Sequence, residues 1–171
     1  AFFIAFKLPN FFRRLFAEGA FNAAFVPLFT GKLATEGGAA AKLLAEQVLS
    51  VLVATLLAFT IGFEIAMPAV VWVFAPGFVD EPQKVALAVE FSRITFPYLL
   101  FISLVSQLGG VLNSLNRFAA AAATPIILNL AIIAAQIGLT PILPTAGHAL
   151  SWGVMAAGVL QFLWLIEACR R

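Results

Sequence analysis

The sequence holds one cysteine, one histidine and one tyrosine in 171 residues, and only 11% of its residues are charged. Each shortage excludes something. The lone Cys169 has no partner for a disulfide within the chain. One His and one Cys do not make a zinc site, and nothing in the sequence calls for a metal or a cofactor. No run of Lys and Arg accompanies the net charge of +2, which argues against a nucleic-acid partner. Charge is also too scarce to cover a water-facing surface. Soluble domains are about half apolar and about a quarter charged, whereas 63% of these residues are hydrophobic. Lipid is therefore the expected solvent for much of the chain. The first residues, "AFFIAF", include no Met, no charged leader and no small-residue cleavage site. They read as an internal piece of a longer protein rather than as a signal peptide.

What is present is a set of long apolar runs. Crossing the hydrocarbon core takes about 20 predominantly apolar residues. Residues 47–63 and 94–116 carry no charge, and Arg117 and Glu167 bracket a third uncharged region split by "TPILPTAGH". These predict spans near 44–66, 94–115, 122–140 and 147–167. Residues 1–29 predict a fifth, bent near Leu8 by Pro9 and at its far end by Pro27. In lipid the backbone must satisfy its own hydrogen bonds, so the spans are expected to be helices. Runs such as "SVLVATLLAF" do not alternate as barrel strands would. The fold class is all-α, a polytopic transmembrane bundle of about five spans. Loops are expected at "TGKLATEGG" (30–38), "APGFVDEPQK" (75–84), "NSLNRF" (113–118) and "TPILPT" (140–145), with a short interfacial helix at 69–75. Five antiparallel spans put Lys32, Lys42, Arg117, Arg170 and Arg171 on one side. The other side has Lys84, with Arg93 at a span edge, beside Asp80, Glu81 and Glu90. The 30–43 side is then cytoplasmic.

The stretch "KLPNFFRRLFAEGAFNAAF" (7–25) breaks the rule of few charges. At about 100° per residue, Lys7, Asn10, Arg13, Arg14, Glu18 and Asn22 share one half of a helix. Phe12, Leu15, Phe16, Gly19, Ala20, Ala23 and Val26 fill the other. An ionised Arg in the membrane faces a bundle interior or a water-filled cavity. Two readings stand. Arg13 and Arg14 bind an anionic group, for which the guanidinium fork suits phosphate. Alternatively, Arg14 and Glu18 form an ion pair four residues apart while Arg13 snorkels to an interface. Elsewhere, Glu64 reads as an interfacial carboxylate rather than a coupling-ion ligand, and His148 as a solvated or capping residue. Asn113, Asn116 and Asn129 read as stabilisers of helix ends and contacts. The three Trp fit aromatic belts or packing. No nucleophile–base–orienter set, phosphate-cradling loop or intramembrane carboxylate pair occurs, which argues against an enzyme.

The first 29 residues, "AFFIAFKLPNFFRRLFAEGAFNAAFVPLF", resemble the second transmembrane helix of the MurJ (MviN) lipid II flippases. "APGF" (75–78), "RITFPYLL" (93–100), "LNSLNRF" (112–118), "TPIILN" (124–129) and "GVLQF" (158–162) recur in the family's order, so the resemblance spans almost the whole chain. That family belongs to the multidrug/oligosaccharidyl-lipid/polysaccharide exporter superfamily, with two helical lobes around a cationic cavity. The resemblance implies the second to sixth helices of the first lobe. It implies residence in the bacterial inner membrane and transport of a lipid-linked peptidoglycan precursor (lipid II) by alternating access. The implied partners are lipid II, membrane lipid and the remainder of the same transporter. Arg13 matches the motif's cavity arginine, Arg14 and Glu18 match its neighbours, and Asn10 precedes them on the same face. The "TGKLATEGGAAAK" loop and Glu64 depart from the family pattern. A flippase for another polyprenyl-linked glycan, such as an O-antigen unit, is the alternative within transport. A non-transporting membrane scaffold is the alternative outside it.

Overall fold

The computed structural model describes residues 1–14, 20–78 and 81–170. Among these every element is a helix: α1 (Phe2–Arg13), α2 (Ala20–Glu36), α3 (Gly38–Phe74), a 3-10 turn (Pro76–Phe78), α4 (Pro82–Thr95), α5 (Tyr98–Ser114), α6 (Phe118–Ala122), α7 (Thr124–Leu139) and α8 (Ala146–Arg170). Four segments are long and apolar enough to cross a membrane: Gly38–Phe74, Pro82–Ser114, Phe118–Leu139 and Ala146–Arg170. The chain is a multi-pass, all-α membrane bundle.

Two sequence expectations are corrected. The polar stretch 30–38 is not a loop. α2 runs on to Glu36, and only Gly37, at φ 84°, interrupts the path into α3. A Lys32–Glu36 ion pair at 3.0 Å, four residues apart, supports the helix there, and the Thr30 and Thr35 hydroxyls bond back to Val26 O and Gly31 O, both at 2.9 Å. Nor is 69–75 a separate interfacial helix. α3 continues through Pro68 to Phe74, because one proline removes a single donor that a long packed helix tolerates. α4 and α5 are likewise nearly continuous. Phe96 and Pro97 both keep right-handed helical angles, so the proline bends the path without ending it.

α5 is the centre of the bundle. Ten of its 17 residues are buried, against one in α7. Small residues on α8 let it approach closely. A Cβ on Gly158 would lie 2.7 Å from Tyr98 Cδ2 and 3.1 Å from Phe101 Cβ, and one on Gly153 would lie 2.8 Å from Ala135 Cβ. Such small-residue contacts are how helices associate where no hydrophobic force separates them from lipid. The outer face of α7 keeps Ile126, Leu130, Ile133 and Ile137 exposed, as a lipid-facing or lobe-facing surface would. On the other side of α5, Phe12 of α1 stands edge-on against Phe59 and Phe63 of α3 at 5.1 and 4.9 Å and against Phe96 at 6.0 Å. This aromatic cluster ties α1 to α3 and to the α4–α5 junction.

Pro9 sits inside α1 and cannot donate to the carbonyl of Ala5, which is buried. The hydroxyl of Thr95 supplies the missing donor from α4, with Oγ1 3.0 Å from Ala5 O. Thr95 Oγ1 is also 2.9 Å from Phe91 O and 3.3 Å from Ser92 O, so its one proton is shared among three carbonyls. Thr95→Val keeps the shape and removes the proton. It is expected to destabilise the bundle by about 1 kcal/mol, the order found for single buried hydrogen bonds. The measurement is the thermal midpoint in detergent, and an unchanged midpoint would show that the proline's carbonyl needs no partner.

Candidate functional site

α5 presents Ile102, Ser106, Gly109, Gly110 and Asn113 along one face, a helical repeat of three and four. Together with the end of α1, α6 and the start of α7, this face borders an open cavity of about 420 Å³ lined also by Arg13, Ala121 and Thr124. The two glycines leave room beside α6, for even a Cβ on Gly109 would stop 3.6 Å from Ala121 Cβ. Polar groups therefore line a space whose remaining wall is apolar, with Val26, Val105 and Leu165 contributing.

Arg13 reaches this cavity because it occupies the last turn of α1. The negative end of the helix dipole favours a cation there. Its neighbour Phe12 anchors the opposite face of the same turn in the aromatic cluster. Arg13 is half-buried and Arg14 is exposed, and Arg14 does not line the cavity. Asn10 turns inward on its own helix, its side-chain amide donating to Phe6 O at 2.9 Å. Glu18 lies outside the described residues. Of the four site residues expected from the sequence, the structure brings Arg13 to the cavity and directs Arg14 and Asn10 elsewhere.

Asn113 occupies a place that the sequence did not signal. α5 ends in a Schellman motif. Asn116 adopts φ 60°, its N–H bonds Asn113 O at 3.0 Å, and the Arg117 N–H bonds Leu112 O at 2.8 Å. Asn116 thus does cap a helix end, as its sequence position suggests. The Asn113 side chain does not. It is exposed and lines the same cavity as Arg13. Its carboxamide can both donate and accept, so it complements the purely donating guanidinium. Only the docking of α1 onto α5 relates the two residues.

The cavity wall is held by bonds across a second proline break. Pro125 cannot donate to Ala121 O, and the Thr124 hydroxyl takes that role at 2.8 Å. Gln161 of α8 donates to Thr124 O at 2.8 Å and Trp164 to Ala120 O at 3.0 Å. Trp164 is therefore a hydrogen-bonding anchor as well as an interfacial aromatic. His148 is buried rather than solvated. Its Nδ1 is 2.9 Å from Thr145 Oγ1, and its Nε2 is 3.0 Å from Glu90 Oε1, close enough for an ion pair though not aligned as a hydrogen bond. It joins the start of α8 to α4, away from the cavity. Among the described residues no group of His, Cys, Asp or Glu could hold a metal ion.

Known proteins place this architecture. A model of the family described as lipid II flippase MurJ matches residues 1–171. A probable lipid II flippase MurJ of Rhizobium tropici is 50% identical over 94% of the chain and 31% of its own length. One from Rhizobium meliloti (strain 1021) is 47% identical over 99% of the chain and 32% of its own length. A lipid II flippase MurJ of Burkholderia cenocepacia is 41% identical over 95% of the chain and 32% of its own length. The chain thus spans about a third of the length of the curated relatives it matches. A match over every residue, on a multi-pass helical bundle with an arginine in its cavity, means that the chain belongs to the MurJ lipid II flippase family.

Proposed function

We propose that the chain forms part of the first lobe of a transporter in the bacterial inner membrane. Its cargo is undecaprenyl-pyrophosphate-linked peptidoglycan precursor, moved from the cytoplasmic to the outer face by alternating access. The observation that carries this reading is that Arg13 and Asn113 line the same cavity. A pyrophosphate is a doubly anionic group with several acceptor oxygens. A guanidinium offers it two parallel charge-assisted hydrogen bonds, and inside a low-dielectric bundle these count for more than in water. Asn113 adds a neutral donor and acceptor of the kind that sugar hydroxyls and phosphate oxygens accept. Arg14 and Glu18 serve as support for the segment that carries Arg13.

The chemistry required is binding and release, with no bond made or broken. The two lobes alternate between states, and the differential affinity of those states for cargo gives the cycle its direction. The polyprenyl tail stays in lipid, where the exposed apolar faces of α3 and α7 already lie. The bias of Lys and Arg places residues 30–43 in the cytoplasm.

Arg13→Ala in the full-length transporter is expected to abolish complementation of flippase loss at normal expression. Loss of a charge-assisted hydrogen bond to cargo, about 1.5–3 kcal/mol, corresponds to roughly ten- to hundredfold in transport. Arg13→Lys keeps the charge and loses the fork, so partial growth is expected. Normal growth of the alanine variant would remove Arg13 from the site. The cavity itself is tested by labelling. In a full-length background with its cysteines replaced, Cys169 included, Asn113→Cys should react with a membrane-impermeant maleimide and Leu112→Cys should not. Leu112 is fully buried on the adjacent face of the same turn. Equal reactivity of the two would refute a polar cavity at Asn113.

A further inference from the structure

Between Glu46 and Asp80 the only charged residue is Glu64. It lies inside α3 (Gly38–Phe74), a helix long and apolar enough to cross a membrane, with apolar turns on both sides of it. A carboxylate held in such a place marks an ion or proton pathway by default, with its partner to be named. The cavity function described above does not use it.

The surroundings of Glu64 are distinctive. Its Oε1 is sealed in protein and has no hydrogen-bond partner, and the same holds for the Thr60 hydroxyl one turn earlier. Residues four apart share a helix face. This face is the packed one, for Leu56, Thr60, Met67 and Val71 are all buried along it. The backbone is weakened at the same turn. Pro68 has no N–H to give to the Glu64 carbonyl, and among the described residues no side chain donates to it. The carbonyls released by Pro9 and Pro125 both receive threonine hydroxyls.

The charges facing this turn are few. α5 carries none, and neither does the 3-10 turn after α3. On α2, Lys32 and Glu36 pair with one another. On α1, Lys7 is exposed and Arg13 lines the cavity. On α4, Lys84 pairs with Glu81 at 2.7 Å and Glu90 faces His148 at 3.0 Å. Arg93, exposed near the end of α4, is that helix's other cation, and no ion pair joins it to Glu64 within 4.0 Å.

We propose that Glu64 is a proton-binding site of the transport cycle, a reading that rests on the transport function proposed above. In one state the carboxylate is charged and Arg93 is its countercharge. In the other, a proton from water forms an O–H bond on the carboxyl, leaving it neutral with the Thr60 hydroxyl as hydrogen-bond partner. The proton is returned to water when the site reverts. The proline-weakened turn at 64–68 is the hinge that lets the backbone follow. Phe63, next in sequence, touches Phe12 beside Arg13, so the state of Glu64 reaches the cavity through one packed contact.

The test uses the full-length transporter in proteoliposomes, with lipid II movement measured against pH and against an imposed proton gradient. The wild type is expected to respond several-fold. Glu64→Gln should give a flat profile, Glu64→Asp should keep the response, and Arg93→Gln should move its midpoint. Infrared spectroscopy supplies a readout that needs no transport. The protonated-carboxyl C=O stretch should appear on acidification in the wild type and lose a component in Glu64→Gln. An unchanged pH profile or an unchanged infrared difference in Glu64→Gln overturns the proposal. So does a response to sodium at constant pH that disappears in Glu64→Gln, which would assign a metal cation instead. If the wild type moves no lipid II while the Glu64 infrared component is present, the proton site stands and the cargo assignment fails.

Discussion

A carbonyl in hydrocarbon has no water to turn to, and that constraint organises this bundle. The chain carries prolines within or at the start of its helices, and each one removes a donor. At Pro9 and Pro125 the structure answers with side chains placed where the donor is missing. Thr95 reaches from α4 to Ala5, Thr124 folds back to Ala121, and Gln161 and Trp164 cross from α8 to the α6–α7 break. Gln107 adds a bond from α5 to Ala45 of α3 at 3.0 Å. These are inter-helix fasteners as much as local repairs. Removing one exposes a buried polar group and loosens two helices at once. The fold can therefore keep proline bends without losing its packing.

The cavity follows from the same arrangement. α5 is buried along most of its length, and its face bearing Ser106, Gly109, Gly110 and Asn113 borders an open cleft. The Schellman end at Asn116 stops α5 just after Asn113, and the short α6 with its Thr124 bond closes the wall. Arg13 arrives from α1 at the end whose dipole suits it. An arginine placed one or two residues along the same helix would point elsewhere, as Arg14 does.

Much of this was legible in the sequence, and for identifiable reasons. Apolar runs long enough to cross a bilayer report helices directly, since lipid permits little else. Helical phase alone separated Arg13 from Phe12, and the two do face opposite ways, one to the cavity and one to the aromatic cluster. The turns at 113–118 and 140–145 were legible from Asn and Pro. What could not be read was continuity and docking. Composition predicts a loop at 30–38, but the helix runs on to Glu36, with a Lys32–Glu36 ion pair along it, and breaks only at Gly37. That Asn113 and Arg13 line one cavity brings together residues a hundred positions apart, which no local pattern encodes. The burial of His148 against α4 was hidden in the same way.

The aromatic cluster gives the two charged positions a physical connection. Phe12 touches both Phe59 and Phe63, and Phe63 stacks on Phe96 at 5.0 Å and 9°. Interiors are close-packed, so a ring in such a cluster cannot move without displacing its neighbours or opening a void. A shift of the last turn of α1, where Arg13 sits, must therefore be taken up by α3 near Glu64 or by the α4–α5 junction. Contiguity alone does not make a switch, which needs an element with two arrangements. The turn before Pro68 is suited to be that element, because its backbone is already short of one donor. The junction at Phe96 and Pro97 lacks a donor in the same way, and Arg93 lies one turn before it on α4. The cluster is thus bounded by two proline-weakened turns, one bearing Glu64 and the other following Arg93 by one turn. Motion at the arginine cavity and a change of charge at Glu64 would work on the same rings.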